Sequence, residues 1–423
     1  MGVYLVLLVA TYVWLVSPYY FYSGMVNLAV ADGSLSVAAA LAWLPALVMP
    51  LKLERPYHVA LWLLFLLTYM PSQLLPHFVL GEGWSLLPLN LTIAAGMAIL
   101  LLGLRIPPIR LPRPELSQNL YAALLAAGAV ALLAISVAQF GFNAGLPSLT
   151  DVTTVREDYR EEVQGGPAIV AYAVGWAGRV VLPVAIAIGI WWRRWWLVAI
   201  GLIGETYIYS VTGFRSLFLS VGLVVGVVYL VRLIATRWGA LLPFIAAAGI
   251  TLAALPALVG VRLPLSLFVR RLIDVPGQLT GYYFDYFTTQ QPYLLSHSVL
   301  GWLFEQPQIA EPPRVIGLEY FHDPRVNANG NLWADGMANF GLPGVLLVSL
   351  LAVAVLVAMD TAARGRALPL TAAILGATVV SLTNSGLLTS LGTHGIALAI
   401  ILVALLPRAI PSDRRAVPGS VVA

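Results

Sequence analysis

Long apolar stretches alternate with short polar stretches along almost the whole chain, and this pattern predicts a bundle of membrane-spanning helices. Most apolar stretches run for about 17 to 26 residues, which is enough for a helix to cross the ~30 Å hydrocarbon core of a bilayer. We predict about twelve spans. Their approximate bounds are 2–18, 34–51, 57–74, 86–104, 118–140, 167–190, 195–211, 214–233, 239–260, 332–357, 367–386 and 390–407.

The positions of the basic residues support an even number of spans. The short loops after the even-numbered spans contain Lys52, Arg55, Arg105, Arg110, Arg113, Arg193, Arg194, Arg232, Arg237, Arg364, Arg366, Arg408, Arg414 and Arg415. Because short basic loops stay in the cytoplasm, both termini are expected to be cytoplasmic.

The composition fits the same class. The chain is 60% hydrophobic and only 10% charged, far below the charged fraction of about 25% in soluble proteins. It contains no cysteine, which excludes disulfides and thiolate metal sites. We therefore expect residues 1–423 to form one all-α, polytopic integral membrane domain.

The longest polar interruption, residues 262–331, lies between predicted spans nine and ten and is expected to be a large external loop. It is rich in arginine, acidic and aromatic residues, and long loops of this kind usually carry function. Apolar residues at helical spacing around Arg270 and Arg271 predict an amphipathic helix on the membrane surface. The aromatic residues of 281–295 either stack on sugars or form an interfacial belt. We expect this loop to bind an anionic, sugar-like or lipid-linked ligand.

A second external loop is predicted at residues 141–166, after span five. A short helix is expected over 155–163, in which Arg156 and Arg160 are four residues apart and share one face. Two guanidinium groups on one face suit a phosphate or pyrophosphate, because arginine binds oxyanions through paired donors. The alternative is a solvated helix in which these arginines pair with neighbouring glutamates.

Three charged residues fall within or beside the apolar spans: Arg179, Glu205 and Arg215. A charge at membrane depth costs about 2.5–3.5 kcal/mol, so it usually faces a partner or a wet cavity. A structural Arg179–Glu205 ion pair is one explanation. Arg215 lies in a tight turn at the external surface, beside a helix N-terminus that favours anions.

A carboxylate lies at the start of predicted span ten. Asp335 and Asn339 are one helical turn apart on the same face. An acid in an otherwise apolar helix start is a candidate general base. The alternative is an acid that the helix dipole stabilises.

Three segments together resemble the bacterial O-antigen polymerase (Wzy-type) or oligosaccharide repeat-unit polymerase family. They are TGFRSLFL at 212–219, VRRLIDVPGQLTGYYFDYF at 269–287 and NANGNLWADGMANFGLPGVLL at 327–347. The motifs are loose, and their order and spacing carry the resemblance over about the C-terminal two-thirds of the chain.

The resemblance implies a C-type glycosyltransferase-like fold. The enzyme would transfer an undecaprenyl-pyrophosphate-linked glycan onto a lipid-linked repeat unit at the outer face of the cytoplasmic membrane. Its partners would be that lipid-linked oligosaccharide, the bilayer and a polysaccharide co-polymerase that regulates chain length. The sequence has no Asp-x-Asp pair and no Gly-rich phosphate loop, so we expect no metal, no cofactor and no nucleic acid.

The resemblance also suggests roles for particular residues. Arg215 and Arg270 correspond to arginines of the family, whereas Arg314 and Arg325 have no secure counterpart although they are candidate substrate ligands. The pyrophosphate would be held by seven arginines: Arg156, Arg160, Arg215, Arg270, Arg271, Arg314 and Arg325. The segment containing Asn329 and Asn331 would shape the site. The candidates for the base are Asp335, His322 and Glu319. Arg215, Arg270 and residues 329–335 are predicted to converge on one external cavity.

Two other functions fit the same features. An O-antigen ligase would differ in its acceptor. A lipid-linked oligosaccharide flippase would share the layout of twelve spans, but transporters usually contain an internal repeat, and none is apparent in this sequence.

Overall fold

A computed structural model describes residues 1–112, 114–142, 145–147, 153–214, 216–234, 239–298, 300–303 and 310–408. Every regular element in these ranges is a helix. Eight helices are long and apolar enough to cross a membrane, which confirms the prediction of an all-α, multi-pass membrane protein. They are Gly2–Ser23, Pro56–Val79, Gly83–Gly103, Gln118–Phe140, Ala168–Trp191, Gly239–Val259, Leu332–Ala363 and Leu387–Leu405.

The four other predicted spans are also helical. Ser34–Leu47, Ser220–Leu233 and Leu368–Thr383 are shorter apolar helices. The fourth, Trp195–Thr212, has 18 residues and contains Glu205. The count of twelve spans stays a prediction, because a short helix that rises 1.5 Å per residue does not fill ~30 Å of hydrocarbon.

Several loops that follow even-numbered spans meet at one end of the bundle, which we call the basic end. The Arg55 guanidinium donates to the carbonyl of Leu104 at 2.8 Å, and Arg364 donates to the carbonyl of Pro108 at 3.1 Å. Arg55 also lies 3.2 Å from the buried carboxylate of Asp360. The arginine alternation therefore predicted which loops share one end, and the cytoplasmic assignment of that end remains a prediction.

The two long polar segments emerge at the opposite end, which we call the loop end. The hydroxyl of Tyr207 donates to the carbonyl of Gly141 at 2.9 Å. The hydroxyl of Tyr20, near the end of the first helix, lies 3.3 Å from the carbonyl oxygen of Arg262. Segments 141–166 and 262–331 thus begin at the same end of the bundle.

Much of segment 262–331 is packed into the bundle. A π-helix, Leu265–Asp274, continues into the α-helix Val275–Thr289, and every residue from 276 to 284 is buried. Gly277 lies so close to Pro71 that a Cβ atom there would come within 2.5 Å of the Pro71 carbonyl oxygen. Residues 276–284 are therefore part of the bundle core, because the glycines of this stretch allow close helix packing, whereas the membrane-surface position predicted around Arg270 and Arg271 stays a prediction. The tyrosines of residues 276–284 are core residues and do not form an interfacial belt.

The helix Leu332–Ala363 is a hairpin. Its backbone is not helical at Phe340 and Gly341, where φ of Gly341 is 62°. Residues 332–339, which we call the half-helix, fold back on the following turns. Gly336 and Gly344 meet backbone to backbone, and the indole N–H of Trp333 donates to the hydroxyl of Ser349 at 3.0 Å.

Candidate functional site

The half-helix is fixed at its start by Asn331. The side-chain oxygen of Asn331 accepts hydrogen bonds from the backbone N–H groups of Trp333 and Ala334 at 3.0 and 3.1 Å, which is an N-cap. Its amide nitrogen donates to the hydroxyl of Thr280 at 2.7 Å and to the carbonyl of Pro276 at 3.1 Å. Asn331 is fully buried, so the structure gives it a positioning role.

Asp335 lies on the half-helix and is half-buried. Its carboxylate is so close to Gly386 that a side chain at that glycine would overlap it. The amide nitrogen of Asn339 donates to the Asp335 carbonyl at 2.8 Å and lies 3.4 Å from the carboxylate. No arginine pairs with Asp335 within the described part of the chain. The carboxylate is therefore free to accept a proton, as a general base must.

The other two candidates for the base differ from Asp335 in exposure. Glu319 and His322 are both exposed near the end of the helix Pro312–Phe321. This helix is attached through Tyr320, whose ring stacks on Tyr282 at 4.2 Å and whose hydroxyl donates to Asp285 at 2.5 Å. Both candidate side chains are exposed, and no side-chain hydrogen bond within the described part of the chain fixes their orientation.

Arg314 and Arg325 support the polar segment around Asp323. Arg314 donates to the backbone carbonyls of Pro324 and Arg325 at 3.1 and 2.8 Å. Arg325 forms an exposed ion pair with Asp323 at 3.1 Å. The hydrogen bonds that Arg325 donates hold the pKa of Asp323 below its usual value. These contacts use two of the five side-chain N–H donors of each arginine.

The first external loop contains the helix Thr153–Gly165, somewhat longer than the prediction of 155–163. Arg156 donates from Nε to the carbonyl of Gly213 at 3.1 Å, and its guanidinium lies 6.0 Å from the Phe214 ring centre. Arg160, one turn later, is half-buried. The pKa of Arg325 is raised, first by its hydrogen bond with Asp323 and then by the negative charge of Glu157. Glu157 belongs to the first polar segment and Arg325 to the second, so the two segments approach each other.

Below this helix is a cavity of about 50 Å³, which we call the arginine cavity. It is lined by Arg179, Tyr159 and Thr393, together with Ala171, Val174, Gly175, Ile208 and Phe214. Arg179 belongs to a π-helical turn, Ala177–Val181, in the middle of the span Ala168–Trp191. No ion pair or hydrogen bond to its guanidinium is formed within the described residues.

The proposed Arg179–Glu205 ion pair is therefore wrong. Both carboxylate oxygens of Glu205 are buried without a hydrogen-bond partner among the described residues. The long Arg179 side chain instead reaches into the arginine cavity, as arginines in membrane helices commonly extend toward polar surroundings. Two unpaired charged residues at membrane depth remain, and such residues usually mark function.

The remaining predicted ligands are dispersed. The guanidinium of Arg270 lies 4.7 Å from the Tyr20 ring centre and donates to the Ser266 hydroxyl at 3.3 Å. Arg271 and Asn329 are exposed. Arg215 lies outside the described residues, so its predicted convergence with Arg270 stays a prediction.

Sequence reasoning did not place Arg179 in the candidate site, and it missed Thr393 and His394 altogether. Thr393 lines the arginine cavity, and His394 has a buried ring nitrogen without a hydrogen-bond partner among the described residues. The segment from Gly386 to Thr393 connects the two sites, because Gly386 packs against the Asp335 carboxylate and Thr393 lines the arginine cavity. The available signal was Arg179 itself, an arginine in the centre of an apolar span.

Comparisons of the sequence with protein-family models and curated proteins, and of the fold with solved structures, find no match.

Proposed function

We propose that this protein is a membrane-embedded glycosyltransferase that polymerises lipid-linked oligosaccharides at its loop end. The observation that carries the proposal is the position of Asp335. This half-buried carboxylate, without an arginine partner among the described residues, lies on a half-helix that Asn331 fixes at the end where both polar segments emerge. The resemblance of residues 212–219, 269–287 and 327–347 to O-antigen polymerases supplies the reaction.

In this reaction Asp335 accepts the proton of an acceptor sugar hydroxyl. The hydroxyl oxygen then forms a bond to the anomeric carbon of the donor glycan, and the bond from that carbon to the pyrophosphate oxygen breaks. The pyrophosphate leaves on undecaprenol with its electron pair. Stabilisation of that charge by nearby guanidinium groups lowers the barrier, because preorganised charges act most strongly where water is excluded.

The reaction is tested with purified protein and a lipid-linked repeat unit, with the ladder of glycan lengths as readout. Replacement of Asp335 by Asn is expected to reduce polymerisation roughly 10²- to 10⁴-fold, the usual contribution of a general base. Glu319→Gln and His322→Gln are the comparison variants, and both are expected to retain the ladder. If Glu319→Gln or His322→Gln abolished activity while Asp335→Asn stayed active, the general base would be that exposed residue and not Asp335. A ligase would instead transfer the glycan to a different acceptor and give no ladder.

A flippase for lipid-linked oligosaccharides is the second candidate, and Asp274 favours it. Both oxygens of this fully buried carboxylate lack a hydrogen-bond partner among the described residues, and buried acidic residues in membrane segments form the proton relays of transporters. Liposomes that contain the protein distinguish the two functions. Transbilayer movement that Asp274→Asn abolishes, without any glycan ladder, would favour the flippase.

A further inference from the structure

The arginine cavity has an apolar neighbour on the same helix. A groove of about 270 Å³, which we call the apolar groove, lies between the helices Gln118–Phe140, Ala168–Trp191 and Leu387–Leu405. Trp176 lines the groove, and its indole N–H donates to the carbonyl of Gly392 at 2.8 Å. Thr393, the next residue, lines the arginine cavity. The cavity and the groove are therefore adjacent, with Trp176 between them.

The two spaces differ in chemistry. The arginine cavity contains a guanidinium that no described residue neutralises, and an uncompensated charge at membrane depth is costly. An anion placed there would satisfy it. The apolar groove is lined almost entirely by hydrocarbon from leucine, alanine, valine and aromatic side chains, so it favours an alkyl or isoprenoid chain.

The groove also has a direction. Its wall on the helix Gln118–Phe140 runs from Leu132 to Tyr121, toward the basic end, over a distance of roughly 17 Å at 1.5 Å per residue. On the helix Ala168–Trp191, the cavity residues Ala171, Val174 and Gly175 lie on the loop-end side of Trp176. Arg179 lies about one turn toward the basic end, and its side chain extends back into the cavity beneath the helix Thr153–Gly165. An amphiphile with its anionic group toward the loop end and its chain toward the membrane interior has the matching polarity.

We propose that the arginine cavity and the apolar groove together bind a polyprenyl diphosphate, with the diphosphate on Arg179 and the first isoprene units below Trp176. This inference rests on the proposed function, which needs such a carrier. A diphosphate carries more negative charge than the phosphodiester of a phospholipid, and one polyprenyl chain suits a single groove better than two acyl tails.

The test measures binding directly, without transferase activity. The full-length protein in detergent is titrated with undecaprenyl diphosphate, and complexes are counted by native mass spectrometry. Arg179→Gln is expected to weaken binding roughly 10- to 100-fold, as expected when a hydrogen-bonded charge is lost, whereas Arg179→Lys retains most of it.

A second variant tests the groove. Gly128 lines it, and a Cβ atom added there meets no atom within 4 Å, so Gly128→Leu places a larger apolar side chain at the groove with no clash at its Cβ. Gly226 has equally open surroundings on a helix that does not line the groove, which makes Gly226→Leu the matched control. Gly128→Leu is expected to weaken binding about tenfold or more, and Gly226→Leu to leave it unchanged.

The outcomes are distinct. Unchanged binding in both Arg179→Gln and Gly128→Leu would overturn the proposal, as would equal binding of phosphatidylglycerol in competition. Polyprenyl diphosphate binding that both variants weaken, in a protein that forms no glycan ladder, would support the lipid site and refute the polymerase. A glycan ladder that forms although lipid binding does not depend on Arg179 or Gly128 would support the polymerase and refute the lipid site.

Discussion

Replacement of Asn331 by alanine is expected to destabilise the fold without removing a contact to substrate. The side chain caps the half-helix and also connects it to the buried helix Val275–Thr289 through Thr280 and Pro276. Asn329, two residues earlier, is exposed and belongs to the same polar segment. Alanine variants of Asn331 and Asn329 therefore test a positioning role and a substrate-binding role separately.

The magnitude follows from the hydrogen bonds that are lost. Loss of an N-cap costs about 1 kcal/mol. The donors of Asn331 add about 1 kcal/mol, because the Pro276 carbonyl still accepts from the Thr280 hydroxyl at 2.8 Å, and Ser72 still contacts that hydroxyl at 2.9 Å. The expected loss in the free energy of unfolding is therefore about 2 kcal/mol.

Equilibrium unfolding in detergent, followed by tryptophan fluorescence, measures this loss. Asn331→Ser retains a capping oxygen and is expected to recover about half of the difference. Asn329→Ala is the control and is expected to unfold like the wild type. An Asn331→Ala protein that unfolds at the wild-type free energy but no longer binds lipid-linked glycan would refute the reasoning and return Asn331 to the substrate site.

Gly344→Ala should destabilise the hairpin by about 1–3 kcal/mol or more, because its methyl carbon would overlap a backbone carbonyl, and the same unfolding assay measures it. The hydrogen bonds from Arg325 lower the pKa of Asp323, so their stabilisation is present above the ordinary carboxyl pKa of ~3.9 and is lost as the pH falls through the lower folded-state pKa. The ratio of the observed to the intrinsic hydrogen-exchange rate of the Arg325 amide should rise only when the pH falls below the ordinary carboxyl pKa. A rise of this ratio between pH 5 and 8 would contradict the prediction. The chain has no cysteine, so single cysteines at Arg110 and Asn327 report topology, and an impermeant maleimide should label only the second in intact cells. Equal labelling of both would refute the predicted sidedness.

The positions of the apolar helices were predictable because they depend on local properties. Hydropathy over about 20 residues identifies apolar helices, and loop arginines mark one side of the bundle whichever helices pack together. The contact of Arg55 with Leu104 follows from that pattern even though the residues are far apart in sequence.

The hairpin and the arginine cavity were not predictable in this way. The contact between Gly336 and Gly344 exists only because the chain folds back at Gly341, and a continuous apolar helix gives the same local pattern. Arg179 and Glu205 both needed explanation, and an ion pair was the simplest one, but only the packing of the helices determines which direction each side chain takes. Asp335 was identified because a carboxylate within an apolar membrane segment is rare.

The half-helix also constrains how the protein is assembled in the membrane. Its eight residues, 332–339, rise roughly 12 Å, which is too short to cross the bilayer, and they begin at the polar Asn331. The insertion machinery cannot therefore retain this piece as an independent transmembrane helix. Its place exists only after Pro56–Val79 and Gly83–Gly103 have come together, since Ser72 contacts its cap and Gly96 packs against Trp333. Asp335 thus reaches its observed position only when these helices are packed together, so the surroundings of its carboxylate depend on assembly of the bundle.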